Sequence, residues 1–147
     1  MESTERKSTI EDPVQTDIRK CWNVIKTGIL EIIKEDPSIT FIPEDVYSEC
    51  VNGRAFLYTS SIGFLILTTE VDQFTNDKTL LLWIAYTYRK GGHNWLSHEK
   101  WFNNLAKEAG CKYLEARSKV PEMESYVKQI GWELDTRVYR KKIKWEN

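Results

Sequence analysis

Apolar residues keep a helical beat in the first third of the chain. Ile18, Cys21, Trp22, Ile25, Ile29, Ile32 and Ile33 recur at three- and four-residue spacings, which places them on one face of a helix. Asp12 and Pro13 supply a start for it, and "EDPS" at 35–38 supplies its end. Pro43 opens a shorter helix with Val46, Tyr47, Cys50 and Val51, stopped by Asn52 and Gly53. The beat then changes. "RAFLYTS", "GFLILTTEV" and "TLLLWIAYTY" are short runs rich in β-branched and aromatic residues, separated by "SSIG" and "TND". They predict a three-stranded antiparallel meander. The third run is apolar on both faces, as a central strand requires.

A helical beat returns from about 93 to 109, with Trp95, His98, Phe102, Leu105, Ala106 and Ala109 on one face and Gly110 at its end. "KYLEARS" reads as a strand. Pro121 opens another helix and Gly131 closes it. "WELDTRVYRKKIKW" reads as a last strand, bulged where its alternation slips. The order is α-α-β-β-β-α-β-α-β. Residues 1–12 read as a polar tail with too little apolar surface to order itself, so a neighbouring chain is needed to hold it. Residues 13–147 read as a single α/β domain.

Composition narrows the classes of function. A net charge of −1 and no long basic run argue against nucleic-acid binding. No apolar stretch has the length of a signal peptide or membrane span. Cys21, Cys50 and Cys111 are widely spaced, with no CxxC pair, and read as reduced, buried thiols of a cytosolic protein. Two His residues without helical pairing to carboxylates give no metal site.

The run "LLLWIAYTY", a helix and then "KYLEARS" form a crossover, which favours a parallel pair of strands. Between strand and helix lies "YRKGGHN". Such a junction aims backbone N–H groups at an anion. Gly91 and Gly92 permit close approach, and Arg89 and Lys90 add positive charge. His93 reads either as a phosphate donor or as a helix cap. Turn geometry alone also accounts for two glycines here.

The order of elements, and the sequence from Ala55 to Ile143, resemble the GNAT superfamily of N-acetyltransferases. In that family a pyrophosphate loop, Arg/Gln-x-x-Gly-x-Gly/Ala, follows a central strand ending in a Val-x-Pro-x-Tyr-like stretch. Here Ile84 takes the Val place, Tyr86 the Pro place, and Tyr88 and Arg89 match. Gly92 takes the first glycine, and Asn94 stands where Gly or Ala is expected. The later "YVKQIGW" is similar to a family signature that sets a Tyr four residues before a Gly-aromatic pair. Gly131 and Trp132 match the pair, Val127 occupies the Tyr place, and Tyr126 lies one residue early, roughly 100° around an ideal helix. Over roughly residues 20 to 143 the chain also resembles GNAT-like proteins of tailed bacteriophages encoded near head and tail genes. The shared features are an opening Trp helix, "EDV", "GRA", the double glycine with Trp95, and an end formed by Ala106, Gly110 and Cys111 followed by Arg117.

The resemblance implies a mixed sheet whose central parallel pair is splayed apart, with helices on both faces. It implies acetyl-CoA lying in the splay, its pantetheine pairing with an open strand edge. Ile84, Tyr86, Arg89, Lys90, Gly91, Gly92, His93 and Asn94 are the expected cofactor contacts. Transfer to an unknown amine acceptor would need a base and a proton donor. Glu70 and Glu115 are candidate bases, each also readable as an ordinary strand carboxylate. Tyr126 is the candidate donor. Two functions therefore stand side by side. One is an acyl-CoA-dependent N-acyltransferase-like bacteriophage protein. The other is a non-catalytic protein of this fold acting through protein–protein contacts, as a virion or assembly component or a host-factor inhibitor. Trp95 and Trp101 cannot both face one core, which suggests a contact surface, a homo-oligomer or phage structural partners. The host cytoplasm, or the virion, is the expected location.

Overall fold

The computed structural model describes residues 11–89, 95–118 and 122–145. They form two compact units, divided in sequence between Arg117 and Ser118.

The first unit is built on a five-stranded sheet in the order β1 (Val14–Gln15), β2 (Ala55–Ser60), β3 (Gly63–Val71), β4 (Lys78–Thr87) and β5 (Tyr113–Ala116). Neighbours are antiparallel except β4 and β5, which run parallel. The meander and the parallel crossover pair are those the apolar runs predict. β4 buries Leu80, Leu81 and Ile84, so residues on both of its faces are covered.

One face of the sheet carries Ala55, Leu57, Phe64, Ile66 and Ile84. Against it lie a 3-10 turn (Ile18–Lys20), α1 (Trp22–Glu35) and α2 (Pro43–Val51) through Ile18, Ile25, Ile29 and Val46. α2 begins at Pro43, and the Asp45 carboxylate accepts from the Ile42 N–H at 2.9 Å, so the helix start is satisfied by its own third residue. The opposite face is reached by α3 (Glu99–Glu108), where Trp101 packs edge-on against Tyr58 at 5.3 Å. A second 3-10 turn, Trp95–Ser97, precedes α3. Gly110 adopts φ +73° after α3, the left-handed conformation that ends a helix at little cost to glycine.

Several expectations change. The helical beat does not begin at Asp12. Val14 and Gln15 pair with Thr59 and Tyr58, and Thr16 fastens this strand through its N–H to Leu57 O at 2.9 Å. The helix is split as well, because Cys21 at φ −137° separates the 3-10 turn from α1. Asp12, placed in the tail by composition, meets the Nδ1 of His98 at 3.0 Å. Trp95 and Trp101 are both packed. Trp95 is 5% exposed, and Trp101 is half-buried between Tyr58 and Phe102. They fit together because Trp95 lies in the 3-10 turn, off the helical period of α3.

The second unit contains α4 (Glu122–Gln129), closed by Gly131 at φ +90°. The expected last strand is absent among the described residues. Positions 132–145 carry no strand, and Val138, Tyr139, Ile143 and Trp145 are all exposed. Alternating apolar residues favour an extended chain, but a strand also needs a neighbour for its backbone hydrogen bonds.

Gly63 marks the tightest approach in the sheet. A Cβ there would fall inside the contact distance of the Tyr86 carbonyl oxygen and only 2.9 Å from the Thr87 Cα. Both obstacles are backbone. Gly63→Ala should lower stability by about 1–3 kcal/mol, the usual range for overpacking, read as a fall in the denaturant midpoint with an unchanged slope. A midpoint equal to wild type would show that β3 and β4 can part freely at this end.

Candidate active site

The site is organised by a register shift in β4. Ile66 pairs with Ile84, whereas the next residue, Leu67, pairs with Leu82. Trp83 is therefore an extra residue on β4, a bulge that bends the strand and sharpens its twist. The β4–β5 ladder runs from Thr79↔Tyr113 to Leu82↔Ala116 and stops there. β4 continues to Thr87, so its stretch from Trp83 onward has a free edge among the described residues. The parallel pair parts at the bulge.

Which groups face that edge follows from strand geometry. The Tyr88 N–H donates to Ile62 O on the β3 side at 2.9 Å. Backbone groups alternate sides along a strand. Tyr86 and Ile84 therefore direct theirs to β3, and Ala85 and Thr87 direct theirs to the open edge. Two residues with outward N–H and C=O groups are what an amide-bearing arm such as pantetheine needs in order to add as a strand.

Ile84 is buried in the core. Tyr86 joins several elements. Its ring stacks on Phe64 at 5.2 Å, and Tyr88 meets it edge-on at 5.9 Å. Its carbonyl accepts from Trp95 Nε1 at 3.3 Å. Its hydroxyl donates to Glu31 Oε2, on α1, at 2.7 Å. Gly28 lets α1 come this close, because a Cβ at that position would lie 2.7 Å from the Phe64 ring and 3.0 Å from that of Tyr86. The hydrogen bond to Glu31, followed by burial and the negative charge of Glu31, pushes the Tyr86 phenol up to about 12.

Glu70 and Glu115 come together. Each sits opposite β4, at Thr79 and Leu81 respectively, two residues apart and so on one face. Arg117 bridges them, donating from Nε to Glu115 at 2.7 Å and from Nη2 to Glu70 at 3.1 Å. Arg89 is exposed at the end of β4, where its carbonyl accepts from Thr87 Oγ1 at 3.0 Å. Lys90, Gly91, Gly92, His93 and Asn94 lie outside the described residues. Tyr126 is half-buried in α4 of the second unit. The three thiols are free and half-buried, and burial pushes that of Cys50 up to about 11, which leaves little thiolate at neutral pH. Among the described residues, no group of His, Cys, Asp and Glu side chains could hold a metal ion, and no helix is long and apolar enough to cross a membrane.

Sequence reasoning missed Glu31, Ala85 and Thr87. The signal for Glu31 was Gly28, a glycine inside an apolar helix face, which implies close packing at that turn. The signal for Ala85 and Thr87 was strand alternation, usable only once a β3 partner is known.

No known family profile matches the sequence, and no curated protein does. Solved structures do. The chain superimposes on one described as a "probable acetyltransferase" with a TM-score of 0.68 at 12% identity, covering 93% of this chain and 100% of that one. A ribosomal-protein-alanine N-acetyltransferase from Brucella melitensis biovar Abortus 2308 gives 0.66 at 13% identity, with 90% and 100% covered. An aminoglycoside acetyltransferase from an uncultured soil metagenomic sample, solved in complex with sisomicin, gives 0.60 at 7%, with 92% and 96% covered. The chain has the GNAT acetyltransferase fold.

The bond from Tyr86 to Glu31 has a spectroscopic consequence. The folded phenol titrates above its ordinary value of 10. Its contribution to stability is therefore complete below about pH 10 and lost as pH rises through about 12. In Glu31→Gln the Tyr86 phenolate should form at lower pH, measured by absorbance against Tyr86→Phe. An unchanged titration would show that the bond is not kept in solution.

Proposed function

We propose that this chain, which has the GNAT acetyltransferase fold, is an acyl-CoA-dependent N-acyltransferase. The observation that carries this reading is the open β4 edge. A bulge ends the β4–β5 ladder at Leu82, and Ala85 and Thr87 face the gap with backbone groups that have no partner among the described residues. That edge fits the pantetheine amides of coenzyme A. Arg89 stands at its end with the charge needed for a phosphate, and the expected phosphate cradle from Lys90 to Asn94 continues from there. The bound thioester would supply an activated acyl group. The neighbours named above as acting on ribosomal-protein alanine and on aminoglycosides support an amine as acceptor.

In this reading Glu70, Glu115 and Arg117 act as a clamp. The guanidinium holds β3 and β5 across β4 just below the point where the strands part, and the two carboxylates spend lone pairs on that bond. Tyr126 is the candidate proton donor to the leaving sulfur. The resemblance to proteins of tailed bacteriophages supports a phage-infected host, its cytoplasm or the virion, as the setting. The exposed Val138, Tyr139, Ile143 and Trp145 favour a second reading beside catalysis, a contact with a phage structural protein or a second copy.

Calorimetric titration with acetyl-CoA tests the cofactor reading. Wild type should bind, with an affinity that falls as salt rises. Thr87→Pro removes an outward N–H without touching the bonds to β3, and should weaken binding about tenfold, the loss of roughly one charge-free hydrogen bond. Tyr126→Phe should leave affinity unchanged and lower kcat. No heat at millimolar acetyl-CoA would overturn the reading.

A further inference from the structure

We propose that Glu31, held by the Tyr86 hydroxyl, is the base that receives the acceptor's proton, and that the acceptor is a primary amine entering as a cation along the α1 face of the sheet. This rests on the acyltransferase reading.

The two faces beside the open edge differ. On the α3 face the free stretch of β4 offers Thr87, whose hydroxyl donates to the Arg89 carbonyl, and the methyl group of Ala85, with the fully buried Leu65 as its partner on β3. None of these side chains takes a proton near neutral pH. On the α1 face the same stretch presents Tyr86, bonded to Glu31 at 2.7 Å. Tyr88 packs beside it at 5.9 Å, and Glu35 lies near enough to add to the field at the phenol. Cys21 is the other titratable group acting on Tyr88, and burial keeps its thiol protonated. A carboxylate held by one phenol, with a second phenol ring packed against the first, suits an ammonium group, through charge and through the ring faces. Glu31 is exposed, so solvent and acceptor reach it. Glu70 and Glu115 differ in that Arg117 already occupies them.

Tyr86 also fixes the distance. Its neighbours in sequence, Ala85 and Thr87, face the edge where the acyl arm would lie. Its side chain points to α1, so the phenol stands between the arm and Glu31. Gly28 and Phe64 set the ring's position from below.

The chemistry balances with one base. Glu31 takes one proton from the ammonium nitrogen. The freed lone pair forms a bond to the acyl carbon. The carbon–sulfur bond breaks with its electrons going to sulfur, which leaves as the thiol with the proton of the donor proposed above; the second N–H proton goes to solvent, from which that donor is refilled. Glu31 returns its proton to solvent.

The test uses the full chain with acetyl-CoA, with butylamine and spermine as acceptor probes, and follows thiol release above the uncatalysed rate. Wild type should show amine-dependent release. Glu31→Gln should lower kcat about 10²–10⁴-fold, the range of general-base catalysis, without changing acetyl-CoA affinity. Glu31→Asp should recover part of the loss. Independently of turnover, carboxyl-carbon resonances in protein without acetyl-CoA should show Glu31 moving on addition of spermine while Glu70 and Glu115 stay. Equal rates in wild type and Glu31→Gln would overturn the proposal. So would acetyl-CoA binding with no release by either amine, or a resonance shift confined to other carboxylates. Failure to bind acetyl-CoA overturns the acyltransferase reading itself, a result distinct from all of these.

Discussion

One extra residue in β4 governs the site. In a regular sheet β4 and β5 would stay paired to the end of the shorter strand and beyond it the edge would lie flat. Trp83 interrupts the register with β3, and the parallel ladder ends at the adjacent residue, Leu82. The bulge is stable because the surplus side chain is used. Trp83 packs edge-on against Phe41 at 5.3 Å, in the core between sheet and helices. A defect in backbone pairing thus becomes a packed aromatic contact and, on the other side of the strand, a free edge.

Two glycines then bring the elements around that edge into reach. Gly63 admits the backbone of Tyr86 and Thr87, and Gly28 admits the rings of Phe64 and Tyr86. Neither needs an unusual φ; both are required by space. Their combined effect is that a tyrosine on the central strand and a glutamate on α1, 55 residues apart in sequence, share a 2.7 Å hydrogen bond. The same tyrosine holds Trp95 through its carbonyl, which ties the start of the 3-10 turn before α3 to the strand. Structure and candidate chemistry therefore pass through one residue.

Much of the fold was legible because its signals are local. The runs from Ala55 to Thr87 are separated by turn residues, and the crossover to Tyr113 follows from a strand, a helix and a strand in sequence. Gly110 and Gly131 end helices where they were expected to. What was not legible depends on partners. Val14 and Gln15 hide beneath a helical beat and become a strand through β2. The segment after Trp132 has the alternation of a strand without ladder bonds among the described residues. The bulge is silent in sequence, because the run from Leu80 to Ile84 is apolar throughout and any register would bury it. The pairing of Glu70 with Glu115 through Arg117 needs strand order as well as strand identity. Glu31 lay on the polar flank of a helix, where a carboxylate is commonplace.

The central claim is that the bulge frees Ala85 and Thr87 to pair with an acyl-CoA arm. Residue-resolved amide hydrogen exchange, with and without acetyl-CoA, tests it most directly. In the free protein the amides of Ile84, Tyr86 and Tyr88 should exchange slowly and those of Ala85 and Thr87 quickly. Acetyl-CoA should slow Ala85 and Thr87 while leaving the other three nearly unchanged. Protection of Ala85 and Thr87 already in the free protein, or acetyl-CoA binding that leaves both exchanging as before, would contradict the account.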